Sequence, residues 1–220
     1  ALQHGAERVG GTLSYGFSNN RVLTSNGIDQ DYDSTDISLS MRAFVNKASS
    51  HKVVSASNMK NFKYRPKIIE AAQEAKNSIG AEKIKAGDYE ILFDPLAFSV
   101  IINQIGNSSV AENVEVGTSF FRDKLGAEVA SKNFSLYDVG NLSGGLSSSP
   151  FDDEGRPTKA TEIISSGTLK TYLTTTSSAE RFGLKPTGNS GIISARPTNL
   201  VVPIGKTSRS KLLSSIDKGL

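Results

Sequence analysis

Thr35-Asp36-Ile37-Ser38-Leu39-Ser40-Met41-Arg42-Ala43-Phe44-Val45 is the stretch that decides the fold class. Ile37, Leu39, Met41, Ala43 and Val45 fall on alternate positions, with Asp36, Ser38, Ser40 and Arg42 between them. Side chains of a strand point to opposite faces in turn, so this pattern predicts a half-buried antiparallel strand with Ile37, Leu39 and Met41 in the core. Phe44 interrupts the polar face and implies local cover there.

Upstream, Gly11 to Phe17 and Arg21 to Thr24 suggest strands around a turn at Ser18-Asn19-Asn20, with a second turn at Asn26-Gly27. Downstream, Pro66 opens a helix whose face is Ile68, Ala72, Ala75 and Ile79, closed by Gly80. Tyr89 to Phe93 is a short apolar strand ended by Asp94-Pro95. Leu96 to Ile105 is a helix apolar almost all round, a pattern typical of burial. Asn107 to Asn113 suggests a loop and Phe134 to Val139 a strand. Gly140 to Pro150, rich in Gly and Ser, predicts a flexible break. Thr158 to Ile164 and Thr168 to Leu173 predict a hairpin about Ser165-Ser166-Gly167. Ser177 and Glu180 form a capping-box pattern for a helix ending at Gly183. Asn199 to Val202 suggests a strand, and Thr207 the cap of a last helix with Leu212, Leu213 and Ile216 on its apolar face. Strands mixed with separate helices give an α+β fold, mostly antiparallel sheet with a few packed helices.

Composition narrows the function classes. Among 220 residues, 25 Lys+Arg against 22 Asp+Glu leave a net charge of +3, too weak to argue for nucleic acid. There is no Cys, and the two His are His4 and His51, so a thiolate or multi-His zinc centre lacks ligands. No apolar run approaches the ~18–20 residues of a membrane helix. Gly205-Lys206-Thr207 lacks the earlier glycine of a phosphate loop, since Leu200 stands there, and Pro203 removes a donor. Ser208 to Lys211 matches S-x-x-K without companions. Lys60, Lys63, Arg65 and Lys67 with Phe62 and Tyr64 form a basic-aromatic cluster best explained as a solvated helix entry. Asp152-Asp153-Glu154-Gly155 gathers three carboxylates but not the further spaced oxygen ligands of a calcium loop. An acidic turn closed by Gly155 is the physical reading. The start at Ala1 and the stop at Leu220 suggest a segment of a longer protein.

The series Phe151-Asp152-Asp153-Glu154-Gly155, Gly167 to Leu173, Ala179-Glu180-Arg181-Phe182-Gly183-Leu184, Pro186-Thr187-Gly188-Asn189 and Arg196-Pro197-Thr198-Asn199-Leu200 resembles the TldD/PmbA family, also called modulators of DNA gyrase. Gly87 to Pro95 is similar to the strand that leads into that family's motif helix. The resemblance implies a middle region of strands plus one helix at 1–88, and a C-terminal PmbA-like domain at 89–220.

In the TldD kind of subunit the motif helix carries H-E-x-x-x-H, whose two His, with a later Cys, bind zinc while the Glu serves as general base. Here Ile102 and Asn107 align with the His and Asn103 with the Glu, and no His or Glu occurs from Phe98 to Val110. The chain thus resembles the PmbA kind, also called TldE. That resemblance implies a cytoplasmic subunit with no catalytic or metal residue of its own. It would form a heterodimer with a TldD-like zinc-bearing partner and act with it on unfolded peptides. Asp152, Asp153, Glu154 and Gly155 belong to a family motif with no assigned role. Two other readings stay open at this level: a competent metallopeptidase in its own right, and a gyrase- or DNA-associated binding protein.

Overall fold

The computed structural model describes residues 1–219. Two antiparallel sheets and five α-helices make an α+β fold. The strands are β1 (Arg8–Leu23), β2 (Asp29–Val45), β3 (Ala48–Ala56), β4 (Leu136–Val139), β5 (Ala160–Ser165), β6 (Thr168–Leu169) and β7 (Leu200–Val201). The helices are α1 (Tyr64–Asn77), α2 (Pro95–Ser108), α3 (Ala111–Glu115), α4 (Thr176–Arg181) and α5 (Arg209–Ser215). By contacts the chain groups into two units, one of residues 1–18, 34–96 and 207–220, the other of 19–33 and 97–206. The 88/89 division follows the sequence and these units follow space, so their limits differ.

The first unit is built on the sheet β1-β2-β3. Met41, Ala43 and Val45 are buried against Ala71, Ala72 and Ala75 of α1. Small alanines let the helix lie close, and the apolar area removed from water drives the contact. Ile37 and Leu39 are only half-buried, because the apolar cluster is centred farther along β2. The opposite face carries cross-strand polar pairs: Ser38 Oγ with Ser55 Oγ at 2.8 Å, Ser40 Oγ with His51 Nε2 at 2.9 Å, and Arg42 donating to Ser49 Oγ at 3.0 Å. Phe44 on that face is covered by the Arg8 guanidinium, 4.9 Å from the ring centre. Lys52, largely buried, bonds Glu74 at 2.8 Å and Asp94 at 3.3 Å. Burial pulls the ammonium pKa down, and the two carboxylates outweigh it, so the net shift is upward.

Several expectations change here. Ser18-Asn19-Asn20 is no turn; β1 runs through it, and the reversal comes at Thr24–Ile28, where Gly27 takes φ 86°. Helix α1 begins at Tyr64, and Ile79 lies exposed beyond its end. Tyr89 to Phe93 forms no strand, only a parallel bridge from Glu90 to Gly219. The last helix is capped by Ser208, whose side chain accepts from Lys211 N, and its Leu212 and Leu213 are exposed.

The second unit holds the sheet β6-β5-β4-β7 around Leu136, Ile163, Ile164, Leu169, Tyr172 and Leu173. The β5–β6 hairpin forms as the sequence predicts, with Ser166 and Gly167 both at positive φ between Ser165 and Thr168. That geometry matches the right-handed strand twist in a two-residue turn. The segment at 107–113 is not a loop throughout: α2 continues to Ser108 and α3 begins at Ala111. The cap of α4 is Thr175 with Ser178, not Ser177 with Glu180. Thr175 Oγ1 accepts from Ser178 N at 3.1 Å while Ser178 Oγ accepts from Thr175 N at 3.0 Å. The Gly-rich 140–150 segment is no break, since Asn199 pins it by donating to Val139 O and Ser148 Oγ and accepting from Ser147 N.

Candidate functional site

Helix α2, which the sequence resemblance offers as the motif helix, turns its side chains two ways. Ile102 is buried in the hydrophobic cluster of the second unit, whereas Asn103 and Asn107 are exposed. Residues five apart on a helix are separated by about 140° at 3.6 residues per turn, so one faces the core and the other does not. Val100 and Ile101 are exposed as well, so the helix is buried along one side only.

The acidic motif is drawn apart by its partners. Asp152 is buried; its Oδ1 accepts from Glu154 N at 3.1 Å and Arg156 N at 2.9 Å, and its Oδ2 from Ser190 N at 3.0 Å. Asp153 pairs with Arg196 at 2.8 Å. Glu154 accepts from the hydroxyl and the N–H of Thr176. Gly155 closes the turn at φ 75°, with the Ile28 side chain packed where a Cβ would stand. Among the described residues no cluster of three or more His, Cys, Asp or Glu has metal-binding geometry.

A second carboxylate completes the arrangement. Asp138, on β4, is fully buried. Its Oδ1 accepts from Thr198 N at 2.6 Å; its Oδ2 accepts from Asn189 Nδ2 at 2.6 Å and Thr198 Oγ1 at 2.9 Å. Burial raises its pKa, and the hydrogen bonds from Asn189 and Thr198 oppose the rise. Asn189 also donates to Arg196 O at 3.1 Å. Asp138, Asp152 and Asp153 therefore clamp both ends of the 189–198 loop, whose tip exposes Ile192 and Ile193, each 93% accessible. Leu136 and Asp138 alternate inward on β4, so that strand's pattern offers Asp138 as a buried carboxylate but does not name its partners.

Glu112 of α3 accepts from Thr175 Oγ1 at 3.0 Å and Ala195 N at 3.2 Å. Glu115 holds Arg181 through two bonds of 2.7 and 2.8 Å. Beside the loop, Arg21, Leu23, Tyr32, Phe151, Asp153 and Ile192 help to line a cavity of about 480 Å³. Tyr32 and Phe151 meet edge to face there, with ring centres 5.3 Å apart. The carboxylates of the motif are engaged by N–H, O–H and guanidinium donors, so the arrangement is a scaffold that holds loops.

His51 lies in the β3 polar ladder and His4 is exposed at the chain start, so the two are not brought together with these carboxylates.

Residues 86–220 match the family profile of the PmbA/TldA metallopeptidase C-terminal domain. A metalloprotease of Methanocaldococcus jannaschii is 32% identical over 168 residues, covering 72% of this chain and 37% of that protein. The crystal structure of a Thermotoga maritima protein named as a modulator of DNA gyrase superposes with a TM-score of 0.83 at 30% identity, over 94% of this chain and 50% of that one. TldE of Thermococcus kodakarensis shares the fold, with a TM-score of 0.79 at 20% identity over 95% of this chain and 50% of its own. The chain spans half or less of the length of these relatives. The profile covers most of the chain and the fold superposes on solved relatives: this chain belongs to the PmbA/TldD family.

Proposed function

We propose that this chain is a non-catalytic, TldE-like subunit of a cytoplasmic TldD/TldE-type zinc metallopeptidase. It would form wall and scaffold of a chamber for unfolded peptides. The observation that carries the reading is the motif helix. The positions that the sequence resemblance assigns to the two His and the Glu hold Ile102, Asn107 and Asn103, and Ile102 is packed in the core. An alkyl side chain cannot ligate a metal, and an amide cannot take a proton from water. Zinc on this reading belongs to the TldD-like partner, where it would polarise the peptide carbonyl and activate water.

The test is peptide hydrolysis by the purified chain, by a TldD-like partner, and by the mixture. Activity is expected in the mixture and not in this chain alone. Asn103→Ala should leave the mixture's rate within about twofold, whereas loss of a general base costs roughly 10²–10⁴-fold. Cleavage by this chain alone, or a loss of that size, would overturn the proposal.

A further inference from the structure

We infer that the 189–198 loop is a hinged finger with a proton-operated latch: closing it on Asp138 takes up a proton, and lifting it gives the proton back to water. The finger braces itself. Gly191 N donates to Ser194 O at 2.9 Å, Ser190 and Ala195 form an antiparallel bridge, and Arg196 N donates to Asn189 O at 2.9 Å. Ile192 and Ile193 stand out at its tip. Such rungs make the loop move as one piece, so its freedom lies at the root.

One side chain spans that root. Asp138 bonds Asn189 where the chain enters the finger and Thr198 where it leaves. Because Asp138 is fully buried, the finger cannot lift without breaking these bonds and wetting the carboxyl. Water favours the charged form and a buried site the neutral one, so the two positions of the finger hold the proton with different strength. Burial raises the Asp138 pKa, in keeping with a closed finger that holds the proton. By linkage, low pH favours the closed finger, and that preference is lost as pH rises through the raised value. The root is internal to the second unit, so the latch works whatever meets the tip, and it does not depend on the metallopeptidase reading.

A second observation supplies the neutral form with a partner. Thr161 of β5 stands directly opposite Asp138 on the same face of the sheet, where Cβ atoms lie about 4.5–5.5 Å apart. Its Oγ1 is buried and has no hydrogen-bond partner among the described residues. An ionised Asp138 only accepts, and its donors Asn189 and Thr198 are in place; a neutral one also has an O–H to give. Thr161 Oγ1 is the free acceptor beside it. Leu200 faces Asp138 from β7, and the charged groups at the root bond elsewhere: Asp152 to Ser190 N, Glu112 to Ala195 N, and Asp153 to Arg196. Glu162, next to Thr161, is bonded to Tyr137. Protonating Asp152, Asp153 or Glu112 removes an acceptor from the finger, so these three loosen it toward acid, whereas Asp138 loosens it as pH rises.

Because the chain has no Cys, a nitroxide spin label on Ile193→Cys reports the tip alone. In the 220-residue chain its spectrum should sharpen as pH rises from the ordinary carboxylate range through the raised Asp138 value. The ratio of mobile to immobile label should gain at most about tenfold per pH unit, the limit for one proton. Far-ultraviolet circular dichroism should stay constant across that rise. A label on Met59→Cys, outside this unit, should not respond. Asp138→Asn should abolish the transition. Thr161→Val removes the acceptor, weakens the hold on the proton and should move the transition down by about 0.4–1 pH unit, the worth of one hydrogen bond. A tip whose mobility ignores pH, or rises only toward acid, overturns the inference. So does a transition that survives Asp138→Asn, one that accompanies loss of the dichroism signal, or, where Asp138→Asn does not fold, one that Thr161→Val leaves in place.

Discussion

Asp138 is the residue whose protonation is tied most closely to the shape of the site. Its folded-state pKa is raised, mainly by burial, so the native chain holds this proton to higher pH than the unfolded chain does. The stability that Asp138 contributes is therefore full below the ordinary carboxylate pKa and is lost as pH rises through the raised folded value. Urea unfolding of the native chain and of Asp138→Asn at a series of pH values should show the native chain losing stability relative to the variant across that window. A relative gain would reverse the assignment. Gly167 is a second decisive residue. It has φ 80°, and an added Cβ would run into the carbonyl of Ala130 and come within 2.9 Å of Ser131 O. Gly167→Ala should cost about 1–3 kcal/mol from the left-handed backbone alone, and the contact adds to that. A thermal or urea midpoint unchanged from the native chain would refute it. The turn at Gly167 was legible because glycine there has a local reason. The clamp at Asp138 was not, because its partners Asn189 and Thr198 lie 51 and 60 residues away.

At the level of elements, periodicity was informative wherever one face is buried. The β2 alternation sets Met41, Ala43 and Val45 against α1, and Met41→Ala should cost about 2–5 kcal/mol in urea unfolding. A cost below about 0.5 kcal/mol, the range of surface changes, would mean the face is not core. Periodicity misled where partners are few: Ile37 continues the pattern beyond the buried cluster, Leu39 packs only on its margin, and Leu212 and Leu213 of α5 stay exposed. Strand ends misled too, since nothing within Ser18-Asn19-Asn20 shows whether a partner strand runs on beside it. Helix α2 carries a sharper test. Ile102→His buries a polar ring among apolar groups and should cost about 2–5 kcal/mol, while Asn103→Glu and Asn107→His, both exposed, should each stay within about 0.5 kcal/mol. Equal, small effects at the three positions would show that Ile102 is not held in the core.

For the whole molecule, the described residues group into two compact units, and the sequence offers few of the ligands that zinc prefers. A protein-closed zinc site needs about four N, S or carboxylate ligands, and a catalytic one about three plus water. Cysteine is absent, and the two histidines stand apart, His4 exposed at the start and His51 bonded to Ser40. The carboxylates of the 152–154 motif are committed to Ser190, Arg196 and Thr176, so recruiting them for a metal would release the 189–198 loop. Titration with zinc, followed by metal analysis after gel filtration, should find well under one equivalent retained. Its melting temperature should not rise, because a ligand that binds the native state in excess must stabilise it by mass action. One tightly held zinc per chain, with a raised melting temperature, would place metal chemistry in this subunit and overturn the division of labour proposed for the pair. Retained zinc without such a rise would instead indicate binding that does not favour the folded chain. That outcome is expected to disappear when His4 and His51 are both replaced by Ala, with peptide cleavage by the mixture unaffected.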